Sequence, residues 1–116
     1  MSRQLTTLLT RTPVGWTTIS LTGGWSSPSG FTAQYRVDAL GVVWLRGKIL
    51  GGTGTPFTMP VGSRPEQEMD FSVISDSQYG GKVNVQTGGS IVIYMQSGWS
   101  SSNAVSLAGV TYLAEN

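Results

Sequence analysis

The chain has 116 residues, with 39% hydrophobic and only 11% charged side chains, a net charge of +1, and neither cysteine nor histidine. One domain of this length holds one hydrophobic core, and a charged share well below the usual quarter or so leaves neutral Ser, Thr and Gly to supply the polarity. Missing Cys and His remove disulfides, thiol nucleophiles, Cys-based zinc sites and the commonest general base and metal ligand, while weak charge without a Lys/Arg cluster argues against nucleic acid as a partner.

Residues 1–15 form the first region. Leu5, Leu8 and Leu9 stand at a helix-like spacing, but the stretch is rich in Thr and closed by Pro13 and Gly15. It reads as an N-terminal arm that packs on a neighbour or along the domain, with Leu5, Leu8, Leu9 and Arg11 as its assembly residues. The first eleven residues have no long apolar core and no small-residue cleavage site, so no secretory signal is expected and use without Sec export is inferred.

From residue 16 to 116 the hydrophobic period is two almost throughout, which predicts a single all-β domain. Strand candidates are Trp16–Leu21 and Thr32–Val37, then Val42–Ile49. In the last of these Val43, Leu45 and Ile49 share one face, with Trp44, Arg46 and Lys48 on the other. Phe57–Met59 is a short candidate. Met69–Ser75 turns Met69, Phe71 and Val73 inward, opposite Asp70 and Ser72. Lys82–Gln86 and Ser90–Met95 flank Thr87-Gly88-Gly89, a tight-hairpin signal, and Val105–Leu113 closes the series. About eight short strands separated by Gly, Pro, Ser and Asn form the signature of an antiparallel sandwich or barrel. The longest apolar stretches, such as Leu40–Leu45, are far short of the roughly 20 residues that span a bilayer, so no membrane insertion is expected.

Chemistry is sparse along this chain. Serines are abundant, but no histidine can activate one, and Lys48 and Lys82 sit in strand patterns. Glu66, Glu68 and Asp70 alternate, so in extended chain they would share a face; an acid pair or a Ca²⁺ site stands against a solvated segment after the Arg64-Pro65 turn. Asp76, between Ser75 and Ser77, reads as turn chemistry. Gly51-Gly52-Thr53-Gly54-Thr55 has no helix pattern behind it and is a loop rather than a phosphate cradle. No catalytic residue, cofactor or metal site is assigned.

Two polar loops carry tryptophan: Gly23-Gly24-Trp25-Ser26-Ser27 and Gly98-Trp99-Ser100-Ser101. A large ring in such a loop can stack on a sugar or fill a subunit interface. The bland alternative is that Trp16 and Trp44 cap the core edges while the loop rings fold back over strand ends. Trp25, Trp99 and Tyr79 are the candidate surface, ligand or interface aromatics.

The order of short motifs adds a resemblance. Gly24-Trp25 comes first, followed by Gln34-Tyr35-Arg36, Gly41-Val42-Val43-Trp44-Leu45-Arg46-Gly47 and Phe57-Thr58-Met59-Pro60-Val61-Gly62-Ser63-Arg64-Pro65. Val85-Gln86-Thr87-Gly88-Gly89-Ser90-Ile91 and Leu107-Ala108-Gly109-Val110-Thr111-Tyr112 complete the order. Over about residues 16–113 this resembles the C-terminal head domains of tail fibres and minor structural proteins of tailed bacteriophages, with Met59 where such heads usually show leucine. The resemblance implies a jelly-roll-like β-sandwich that assembles as a homotrimer on the virion.

Only about fifteen residues precede the sandwich, where a fibre head normally follows a long shaft. The expectation is therefore a trimeric capsid decoration or minor capsid protein, whose arm docks on the major capsid protein or another virion protein. The alternative is a receptor-binding head that recognises host surface glycan through the loops of Trp25 and Trp99. A weaker alternative is a cell-wall polysaccharide hydrolase using Glu66, Glu68 or Asp70.

Overall fold

The structure is a computed structural model and describes residues 15–115. The arm residues Leu5, Leu8, Leu9 and Arg11 lie outside the described residues. Among the described residues nine strands follow in order: β1 (Thr17–Thr18), β2 (Gln34–Val37), β3 (Val42–Arg46), β4 (Lys48–Ile49), β5 (Met69–Ile74), β6 (Gly80–Val85), β7 (Ile91–Met95), β8 (Val105–Ser106) and β9 (Thr111–Leu113). All named pairings are antiparallel. One sheet runs β1-β2-β3-β9, the other contains the meander β5-β6-β7, and the pair β4-β8 reaches that meander through the bridge Ser75–Val105. The domain is an all-β sandwich.

One ribbon ties the two sheets together. β3 and β4 are separated only by Gly47, and β8 and β9 by the turn over 107–110. Hydrogen bonding continues across the bend, with Leu107 N–H donating to Gly47 O at 2.9 Å and Leu45 N–H to Val110 O at 3.2 Å. Gly47 has φ 98°, and a Cβ there would lie 2.3 Å from Thr32 O, so only glycine permits this crossing between sheets. The segment expected as one strand over Val105–Leu113 is thus two, because the partner bends at Gly47 and the extra residues bulge to follow it.

Alternation decides the core as expected. Val43, Leu45 and Ile49 are buried, together with Val83, Val85, Ile91 and Tyr112, in one apolar cluster. The rings of Phe71 (β5) and Tyr112 (β9), 6.2 Å apart, join the two sheets across it. Met69 is the exception: it shares the inward face of Phe71 and Val73, yet lies at the rim and remains 38% exposed. The Thr87–Gly89 hairpin forms as predicted, closed by Gly89 N–H to Gln86 O at 2.8 Å and Gln86 N–H to Ser90 O at 3.0 Å. The Phe57–Met59 segment contributes only the Thr58–Ser90 bridge, since Pro56 and Pro60 on either side lack donors for a longer ladder. Of Trp16–Leu21, only Thr17–Thr18 is strand. Among the described residues no helix is long and apolar enough to cross a membrane.

Candidate functional site

The two loop tryptophans fold inward, as in the alternative in which the loop rings turn back over the strand ends. Trp25 is 8% exposed, and its indole N–H donates to Thr53 O at 3.2 Å. Its ring stacks on Trp99 with centroids 6.5 Å apart and planes 18° from parallel. Trp99 is half-buried against the core, its N–H donating to Asn103 O at 3.2 Å. Gly52 passes directly against the Trp25 ring: a Cβ there would meet it at 2.2 Å. Backbone bonds Thr53 N–H to Gly23 O and Gly51 N–H to Ser101 O knit the three loops at this end of the sandwich. The polar Gly/Ser segments therefore serve here as thin backbone that packs close to the paired rings.

Tyr79 is half-buried as well. It follows a 3₁₀ turn at Asp76–Gln78, and its carbonyl accepts Ser75 N–H at 2.8 Å. The acidic run is not a cluster: Asp70 accepts hydrogen bonds from Asn84 Nδ2 at 2.8 Å and from Lys82 Nζ at 3.5 Å on the outer face of the meander. Glu66 instead borders a hollow with Gln67, Met69 and Leu113. Among the described residues no group of three acidic side chains could hold a metal ion.

What the sequence reading underweighted is the outer face of the first sheet. Register sets Arg36 opposite Trp44 and Gln34 opposite Arg46 on neighbouring strands, all pointing away from the core face of Val43 and Leu45. Trp16, just ahead of β1, joins them. The Arg46 guanidinium lies 4.1 Å from the Trp16 ring centroid and that of Arg36 5.1 Å from it, with Arg36 also 6.0 Å from Trp44. These are cation–π distances. Trp44 remains 39% exposed.

The polar atoms on this face are held firmly. Asp38, in the β2–β3 turn, accepts Leu40 N–H and Val42 N–H through Oδ1, at 2.9 and 3.0 Å, and Trp44 Nε1–H through Oδ2 at 2.9 Å. Slight burial works to raise the Asp38 pKa, but hydrogen bonds from Trp44, Val42 and Leu40 and the Arg36 charge outweigh it and hold the carboxyl below its usual value. Gln34 Oε1 accepts from Arg46 Nε at 2.8 Å and from Nη2 at 2.5 Å. Arg36 Nε is buried and has no hydrogen-bond partner among the described residues; it faces aromatic rings instead. Beside Arg46 opens a hollow of about 410 Å³, lined by Gly30, Phe31, Thr32, Gln34, Arg46 and Gly47. Phe31 is 47% exposed there, with Lys48 Nζ 4.4 Å from its ring centroid.

A partly exposed pair of tryptophans beside fixed guanidinium and amide donors can stack on sugar rings and hydrogen-bond their substituents. The sequence signal was present: Trp44 and Arg46 alternate outward on one strand candidate, and Gln34 and Arg36 have the same spacing on the preceding one.

No protein-family description and no curated protein matches this sequence. Among solved structures, the chain is similar to the crystal structure of the receptor binding protein (gp15) of Listeria phage PSA. The TM-score is 0.74 at 18% sequence identity, and the match covers 99% of this chain and 73% of that one. The likeness is one of fold.

Proposed function

We propose that this chain is a receptor-binding domain of a bacteriophage tail, a non-enzymatic module that engages host surface glycan through the outer face of its first sheet. The observation that carries the reading is the likeness in fold to a phage receptor binding protein, which extends over nearly the whole chain. The Trp16–Arg46–Arg36–Trp44 face gives that fold a surface with suitable chemistry. This reading takes the place of the capsid-decoration expectation, which rested on the arm and on docking to a major capsid protein; nothing on the sandwich favours it. Assembly as a homotrimer belongs to the proposal, since among the described residues β1 and the Thr58 segment lie at sheet edges that a neighbouring copy would cover.

A fluorescent fusion of the full chain, applied to a panel of bacterial strains that includes Listeria, tests it. The expected result is saturable labelling of particular strains that is lost in the double substitution Trp16→Ala/Trp44→Ala, with folding retained by circular dichroism. Labelling of no strain would overturn the reading. Labelling that survives the double substitution would move the site elsewhere on the domain. Light scattering on the purified chain reports the trimer.

A further inference from the structure

The charges around this face do not balance. Asp38 lies close enough to Arg36 for the two charges to interact, and Asp76 pairs with Lys48 at 3.0 Å. Arg46 is different. No carboxylate lies within ion-pair distance of it among the described residues, and residues 1–14 contain neither Asp nor Glu. Its only hydrogen-bond acceptor there is the neutral Gln34 amide. A guanidinium has five N–H donors. Two of them go to Gln34 Oε1, which leaves three without an acceptor among the described residues.

The guanidinium is nevertheless fixed in place. Trp16 stacks on it and the two bonds to Gln34 set its plane, so little side-chain freedom remains to be lost when a ligand arrives. It also borders the 410 Å³ hollow, whose other lining residues are uncharged. Thr32 supplies a hydroxyl there and Phe31 an exposed ring. A planar fork of donors held open beside a neutral cavity matches a carboxylate or a phosphate oxygen pair better than a neutral hydroxyl.

We propose that the hollow beside Arg46 takes an anionic group, carboxylate or phosphodiester, borne by the saccharide that the domain binds. The site stands on its own geometry, while the origin of the anion on a host polymer rests on the receptor-binding reading above. Arg46 pairs with the anion, Thr32 donates to it or to the adjoining sugar, and Phe31 offers a face for the ring. Gly47 is part of the site, because its lack of a side chain lets β3 pass close to Thr32 and keeps the floor open.

Titration of the ¹⁵N-labelled full chain with glucose 1-phosphate, glucuronic acid and glucose, followed by amide shifts of Gly30, Phe31, Thr32 and Gly47, is the direct test. Saturable shifts with either anionic probe, weakened about tenfold or more in Arg46→Gln and less in Arg46→Lys, support the site. A response to glucose 1-phosphate alone points to a phosphodiester polymer, and a response to glucuronic acid alone to an acidic polysaccharide. Equal shifts with glucose, shifts unchanged in Arg46→Gln, or no saturable shift with any probe would each overturn it. Both variants are exposed changes whose folding the same spectra report. Cell labelling separates the two claims. Labelling that is indifferent to Arg46→Gln and to high salt sinks the anion site and spares the receptor-binding reading. An anion response by a chain that labels no strain does the reverse.

Discussion

The four tryptophans divide into two pairs that solve opposite problems. Trp25 and Trp99 sit in loops of Gly and Ser, the setting in which an exposed ring is expected, yet both turn inward and stack. Trp16 and Trp44 sit in or beside strands, and Trp44 in particular faces outward among arginines. The difference lies in where the indole N–H finds an acceptor. In the loops, irregular backbone leaves carbonyls unpaired, and Thr53 O and Asn103 O take the two N–H groups, so burial carries no polar penalty. On the sheet the backbone carbonyls are engaged in the ladder, and Trp44 uses the Asp38 carboxylate at the surface instead. Residue type in a loop thus says less about exposure than the acceptors within reach.

Alanine substitutions make the contrast measurable. Trp25→Ala removes a buried ring and its stacking partner's support, so chemical denaturation should show a loss of about 3–5 kcal/mol. Trp44→Ala removes a ring that is 39% exposed and lies outside the core cluster, and should lose less than Trp25→Ala, roughly 1 kcal/mol, while it weakens cell labelling. Equal losses for the two would break the division between an internal pair and a surface pair. Gly52→Ala sharpens it further. The added methyl meets the Trp25 ring at 2.2 Å, so the loop must shift, and a loss on the order of 1–3 kcal/mol is expected by the same method.

Much of the sandwich is legible in the sequence because strand alternation is a local signal. Val43, Leu45 and Ile49 on one face and Trp44 and Arg46 on the other need only the period of two. The Thr87–Gly89 hairpin is equally local. What the pattern hides depends on partners distant in sequence. The crossing at Gly47 requires Thr32 and Leu107 close to it. The inward turn of Trp25 requires Gly52 beneath it, 27 positions along the chain. The candidate site lies between these cases: each half, Trp44/Arg46 and Gln34/Arg36, is visible as alternation, but their union waits on the β2–β3 register and on Trp16 reaching over both.

Tyr112 extends the contrast from tryptophan to a buried phenol. Its hydroxyl donates to Ser63 O at 2.7 Å in the core, and burial raises its pKa well above that of an ordinary tyrosine. The ionised form is therefore more accessible to the unfolded chain. The contribution of Tyr112 to stability is complete below the unfolded value near 10 and falls as pH rises above it toward the folded value. Tyr112→Phe should lose about 1–2 kcal/mol at neutral pH through the orphaned carbonyl, and show a flatter alkaline limb than wild type in thermal melts between pH 9 and about 11. An identical alkaline limb in the variant would mean that other groups govern it.

The smallest effect falls on Asp38 and is the finest test of how the outer face is held. Its carboxylate fastens the β2–β3 turn and the Trp44 indole at once, through three hydrogen bonds at the surface. Asp38→Asn keeps the shape and leaves one carbonyl oxygen for the turn, but presents an N–H₂ to the Trp44 N–H where an acceptor stood. Because solvent can replace these bonds, the loss should be a few tenths to about 1 kcal/mol. The folded carboxyl titrates below its unfolded counterpart, so its contribution is present above the unfolded value near 3.9 and is lost as pH falls through the folded one. The difference between wild type and Asp38→Asn should accordingly shrink as melts are taken from pH 5 toward about pH 2. Cell labelling adds a second readout: if the Asp38 bond fixes Trp44 for binding, labelling weakens more than so small a stability change explains. If labelling is unchanged, the Asp38 bond is not what places the ring for binding.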